Sequence, residues 1–166
     1  IWFFVPASAI ITNDIMAYMC GRAFGKKFIS TPLIKLSPNK TWEGAIGACF
    51  FTVLFTYGFA TFLIDYQFFV CPKHGFGFTY PQCEPDITFI KRDMEIFGFT
   101  MNVAPFQLHS LIFALYASLI GPFGGFFASG FKRAFKLKDF SQSVGFGHGG
   151  ISDRMDCQIM MCVFVY

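Results

Sequence analysis

Charge is what this sequence has least of. Only 14% of its 166 residues are Asp, Glu, Lys or Arg, against about a quarter in an ordinary soluble domain. Hydrophobic residues make up 54%, and the mean hydropathy is positive. This balance excludes the usual solvated surface and points to a membrane protein. The net charge of +3 is too small to indicate a nucleic-acid partner. A basic start followed by a small-residue cleavage site is missing, so no secretory signal is visible. No Cys/His spacing suits zinc. An initiator Met is also missing, and the last residues, "CQIMMCVFVY", stop inside an apolar run. The expectation is a fragment of a single membrane domain, truncated at both ends.

What is present is a set of long uncharged runs. Gly44–Ile64 and Ser110–Gly130 each hold 21 residues without a charge. At about 1.5 Å per helical residue, either run crosses a hydrocarbon core of about 30 Å. Ile1–Gly21 is a third apolar run, interrupted by Asn13 and Asp14, and a fourth begins near Cys157. The predicted fold is therefore all-α and polytopic, with spans near residues 1–21, 44–64, 108–130 and 155–166. The glycine- and proline-rich stretch Gly121–Gly125 predicts an interrupted helix. Membranes tolerate such backbone where it is buried or lines a cavity.

Loop charges set the orientation. Arg22, Lys26, Lys27, Lys35 and Lys40 lie between the first two spans, and Lys132, Arg133, Lys136 and Lys138 between the last two. The loop at 66–107 carries three bases and four acids. The positive-inside rule puts both basic loops in the cytosol and 66–107 on the lumenal side. Cys71 and Cys83 share that loop, where an oxidising lumen permits a disulfide, although two cysteines in one loop do not by themselves establish one.

Four places carry candidate chemistry. Asn13-Asp14 puts an ionisable group inside a span, which costs on the order of 3 kcal/mol and marks a polar cavity unless the span is shifted. Ser37, Lys40 and Thr41 crowd hydroxyl and ammonium donors before a span, suited either to a phosphate chain or to anionic lipid headgroups. Lys132 and Lys136 share a helix face as a membrane anchor or a phosphate pocket. Finally, "GFGHGGISDRMD" (145–156) places Asp153 and Asp156 on one face of a helix beginning near Ser152. Acids there stabilise a helix N-terminus; with Arg154 and the His148 turn they also suit a Mg²⁺-bound polyphosphate.

Together these residues resemble the CDP-diacylglycerol synthase family, the phosphatidate cytidylyltransferases, in their animal form. The resemblance rests on Ser129, Lys132-Arg133, Lys138-Asp139, His148-Gly149-Gly150 and Asp153-Arg154-x-Asp156, with "NDIMAYMCGRAFGKK" and "SPNKTWEG" upstream in the family's order. Three departures stand out. The segment between Asp139 and His148, "FSQSVGFG", is one residue longer than the family's usual spacing and lacks its proline. Asn39 replaces a common basic residue. "GGFFAS" lacks the acid that bacterial relatives carry before Ser129.

The resemblance implies that CTP and phosphatidic acid give CDP-diacylglycerol and pyrophosphate, with Mg²⁺ as cofactor. It implies Asp153, Asp156, Lys132, Arg133, Lys138 and His148 as catalytic, and Ser37, Lys40, Arg154 and Asn13 as substrate-binding. Asp153, Asp156, Asp14 and Asp139 would hold metal. It further implies a homodimer in the endoplasmic reticulum bilayer, with interrupted helices around a cavity facing the cytosol. The alternatives are a CTP-dependent polyprenol-type lipid kinase, which would release CDP, and a non-catalytic lipid-binding or channel protein.

Overall fold

The computed structural model describes residues 1–25, 27, 29, 32–34, 37–71, 84–96, 98–134 and 152–166. At 32–34, 37–39, 96, 99, 128, 132, 133, 152–154 and 156 it describes the backbone alone. The chain runs α1 (Phe4–Phe24), β1 (Pro32–Ile34), β2 (Ser37–Thr41), α2 (Trp42–Ile64) and α3 (Gln67–Val70). A 3-10 turn (Ile87–Phe89) follows, then β3 (Arg92–Ile96), β4 (Phe99–Val103), α4 (Pro105–Leu119), α5 (Gly121–Ala134) and α6 (Ser152–Val165).

Two described stretches, Trp42–Ile64 and Pro105–Phe131, are long and apolar enough to cross a membrane. α1 reaches 21 residues but carries Asn13, Asp14 and Arg22, and α6 has 14 residues. The second stretch is interrupted as its glycines and proline foretell: α4 stops at Leu119, Ile120 caps it, and α5 starts at Gly121. Pro122 then falls in the first turn of a helix, where its missing N–H leaves no bond unmade.

α2 shows how the helices meet. Its buried stripe is Gly44, Ala48, Thr52, Thr56 and Ala60, spaced by four, whereas Ile46, Phe50, Leu54 and Phe62 are exposed. Small residues inside and large apolar ones outside is the arrangement of helices that associate in lipid, where close backbone approach replaces hydrophobic drive. α1 answers with Val5, Ala9, Asn13, Ala17 and Gly21, again spaced by four. At the crossing, a Cβ on Gly44 would sit 3.0 Å from the Ala17 carbonyl oxygen and 3.1 Å from Gly21 Cα. A side chain there would press on backbone that has to give by a few tenths of an ångström, so glycine eases the approach.

α4 packs against both α1 and α2 and completes a three-helix bundle. Its start rests on an aromatic cluster in which the Trp2 and Phe106 rings meet edge-to-face at 4.9 Å, with Phe89 and Phe113 beside them. α1 and α4 therefore begin at the same end, and α2 runs the other way. α6 runs antiparallel to α4: Tyr116 donates to the Met160 carbonyl at 3.3 Å and stacks on Phe164 at 3.9 Å, while Phe113 meets Phe164 edge-on.

Strands correct the all-α expectation. The basic segment after α1 contains an antiparallel hairpin, β1 with β2, and the 66–107 loop contains a second, β3 with β4. The second turns through two residues, with Gly98 at φ +83°, a conformation that glycine adopts without a Cβ penalty. Both hairpins are short and local, so the protein is mainly helical. Within 66–107, Cys71 is disulfide-bonded, whereas Cys20, Cys49 and Cys162 are thiols. Cys83 lies outside the described residues.

Candidate functional site

The polar cluster on α1 and the hydroxyl- and ammonium-bearing segment before α2 meet at one end of the bundle. A cavity of about 690 Å³ opens there, between the C-terminal half of α1, β2, the start of α2 and the α4–α5 junction. Its floor is made by the small residues Ala17, Gly21, Gly44, Ala45 and Ala48. The same close helix crossing that excludes side chains from the interface leaves room beside it.

Polar groups ring this floor. Asn13 is buried and its Oδ1 accepts a 3.4 Å hydrogen bond from Thr52 Oγ1, which fixes the carboxamide at the inner wall. Asp14, one residue on, lines the cavity from an exposed position. Thr41 caps α2, its Oγ1 accepting from the Gly44 N–H at 3.2 Å, so a helix N-terminus borders the cavity. That end of a helix carries partial positive charge and favours anions. Glu43 accepts from the Ile29 N–H at 2.9 Å and ties the basic segment to the same helix start.

Two cations stand at the mouth. Arg22 donates to Tyr18 Oη at 3.4 Å, and Lys40 Nζ lies 4.4 Å from the centre of the Phe126 ring. Ser118 and Pro122 complete the wall from the α4–α5 junction. Cations, hydroxyls and a helix N-terminus around one space are groups suited to phosphate oxygens, and Asp14 is the carboxylate among the described lining residues.

The described residues contain no group of three or more His, Cys, Asp or Glu able to hold a metal ion. Mg²⁺ is usually held by one or two carboxylates together with substrate phosphates, keeping several waters. Asp14 supplies one carboxylate among the described lining residues, and one carboxylate fits that mode of binding rather than an all-protein cage.

Of the residues expected at the site, Asn13, Asp14 and Lys40 are brought together in this cavity. Lys132 and Arg133 lie in the last turn of α5, and Asp153, Arg154 and Asp156 in the first turns of α6, which begins at Ser152. Gln158 Nε2 donates to the Ala7 carbonyl at 3.5 Å. The start of α6, six residues before Gln158, lies about 9 Å along the helix toward the cavity end, at roughly 1.5 Å per residue. The side chains of those five residues and of Ser37 lie outside the described set, as do Lys138, Asp139 and His148 altogether. Sequence reading assigned no site role to Tyr18, Arg22, Ser118 and Phe126. Tyr18 and Arg22 lay within the quoted block Asn13–Lys27, and nothing distinguished Phe126 among 26 phenylalanines.

The fold and cavity define a mainly helical, membrane-type protein with a pocket suited to phosphate. The cytidylyltransferase family model matches residues 1–166, so the chain belongs to that family. It is 48% identical over its whole length to a probable phosphatidate cytidylyltransferase of Dictyostelium discoideum and 50% to phosphatidate cytidylyltransferase 1 of Rattus norvegicus. Over 99% of its length it is 51% identical to phosphatidate cytidylyltransferase 2 of Homo sapiens. The chain spans 38%, 37% and 38% of those relatives, respectively. No solved structure matches it.

Proposed function

We propose that this chain is part of a CTP:phosphatidate cytidylyltransferase that makes CDP-diacylglycerol and pyrophosphate for phospholipid synthesis. One observation carries this reading: the Asn13-Asp14 block and the Lys40-Thr41 block converge on a single cavity. Whole-length likeness to proteins named phosphatidate cytidylyltransferase supplies the substrates.

The nucleophile is already an anionic phosphate, so no strong base is required. The difficulty is holding two polyanions together, and phosphoryl-transfer catalysis rests on positioning and charge stabilisation. Lys40, Arg22 and the α2 N-terminus would bind phosphate oxygens, and Asn13 would orient a polar substrate group. Lys132, Arg133, Lys138 and Arg154 would neutralise further phosphate charge, with Ser37 and His148 helping to hold substrate. Mg²⁺, held by Asp14 with Asp139, Asp153 and Asp156, would neutralise attacking and leaving oxygens when bound.

The protein would span the endoplasmic reticulum membrane several times, as a homodimer, with the cavity facing the cytosol. CTP is soluble there, and the lipid substrate reaches the site by lateral diffusion. The large exposed side chains of α2 would then meet lipid.

The test uses membranes containing the full-length protein, supplied with Mg²⁺, phosphatidic acid and labelled CTP. Formation of CDP-diacylglycerol and pyrophosphate that needs both substrates, and falls at least a hundredfold in Asp156→Asn at equal protein level, is the expected result. Release of CDP instead would indicate a lipid kinase. No product from well-folded protein would leave a lipid-binding relative.

A further inference from the structure

Lys40 approaches the cavity from β2, whereas Phe126 approaches it from α5, just beyond the helix interruption. The Phe126 side chain is buried, with 7% exposure, so its ring has a fixed position in the wall. The Lys40 ammonium lies over that ring at 4.4 Å, and Lys40 makes no ion pair among the described residues. An aromatic face attracts a cation through its quadrupole without supplying a lone pair. A carboxylate in the same place would neutralise the charge and occupy N–H donors. The ring does neither, so the ammonium is held while its donors stay available.

From this geometry we infer that Phe126 is a positioning residue: it holds the Lys40 ammonium over the cavity, ready for a substrate phosphate group. A lysine side chain has many rotamers, and fixing it before binding lowers the entropic cost of the complex. The interruption at Ile120 acquires a role, because it starts the short helix that presents Phe126 opposite β2. The inference rests on the cytidylyltransferase reading and names the group within its site that prepares one phosphate contact. The phosphate belongs either to the nucleotide or to the lipid, and the kinetics separate the two.

The experiment compares full-length wild type with Phe126→Leu, Phe126→Tyr, Lys40→Met and the Lys40→Met/Phe126→Leu double variant in membranes, at matched protein level. KM is measured for CTP and for phosphatidic acid in turn. Leucine keeps an apolar wall but removes the ring. The expected result is a KM roughly three- to tenfold higher for one of the two substrates in Phe126→Leu, with kcat nearly unchanged. Phe126→Tyr restores the wild-type value. In the Lys40→Met background, Phe126→Leu adds no further rise. A rise for CTP assigns the phosphate to the nucleotide, and a rise for phosphatidic acid assigns it to the lipid. Unchanged KM for both substrates overturns the inference, as does a fall in kcat that Phe126→Tyr does not rescue. An equal effect of Phe126→Leu with or without Lys40 also overturns it. Absence of product from wild type would instead count against the cytidylyltransferase reading.

Discussion

Two threonines on α2, one turn apart, differ in what their hydroxyls reach. Thr52 and Thr56 are both fully buried. Thr52 Oγ1 donates to Asn13, whereas Thr56 Oγ1 has no hydrogen-bond partner among the described residues. An orphaned buried hydroxyl keeps its desolvation cost, about 1–3 kcal/mol, and a methyl of the same shape removes it. Thr56→Val is therefore expected to raise the thermal midpoint in detergent, by about 1 kcal/mol in stability. Thr52→Val should lower it by about 0.6 kcal/mol, a typical value for a hydrogen bond between membrane helices. Equal shifts of the same sign would show that the Asn13 contact contributes nothing.

At the scale of elements, the α1–α2 crossing couples packing to the cavity. Gly44 faces backbone atoms of Ala17 and Gly21, which cannot turn aside as a flexible side chain would. Gly44→Val should force the helices apart at a cost of about 1–3 kcal/mol, the usual range for overpacking. Gly58, in the same helix, has open space where a Cβ would go. Gly58→Ala should stabilise α2 by roughly 0.5–1 kcal/mol, because alanine loses less backbone entropy on folding. Unfolding midpoints of the two variants check both signs; a drop in the Gly58→Ala midpoint would mean that the open face is occupied in the membrane.

The helices were the most legible elements. The uncharged run Gly44–Ile64 became Trp42–Ile64, and the expected interruption near Gly121 appears at Ile120. The hairpins were not legible. β1–β2 lies in a segment read as a basic loop between two spans, and its two strands have three and five residues. Strands that short present too little alternation to separate them from a loop.

At the scale of the whole molecule, the cavity lies at the end carrying Arg22 and Lys40, and the disulfide-bonded Cys71 with the β3–β4 hairpin at the other. In the proposed orientation these ends face opposite compartments. Single-cysteine variants at Lys27 and Lys91, both exposed positions, test it with a membrane-impermeant maleimide in sealed vesicles whose cytosolic face is outward. Lys27→Cys should label at once and Lys91→Cys only after permeabilisation. The opposite pattern would invert the assigned topology. The Lys91–Asp65 ion pair, 3.4 Å long and well exposed, contributes little to this arrangement and can be broken without consequence.

Local chemistry along the chain was enough for the membrane class, the long helices, the α6 start at Ser152 and the blocks that resemble the family. Transfer of apolar groups from water, backbone satisfaction in lipid and capping act over one or two turns, so they can be read from neighbouring residues. Which blocks share a cavity, and which ring lies under Lys40, depended on the register between helices that are distant in sequence. That register is set by how closely Gly44 lets α2 approach α1 and by where Ile120 interrupts the third long helical stretch. Those are contacts between surfaces, and only the folded bundle brings the surfaces together.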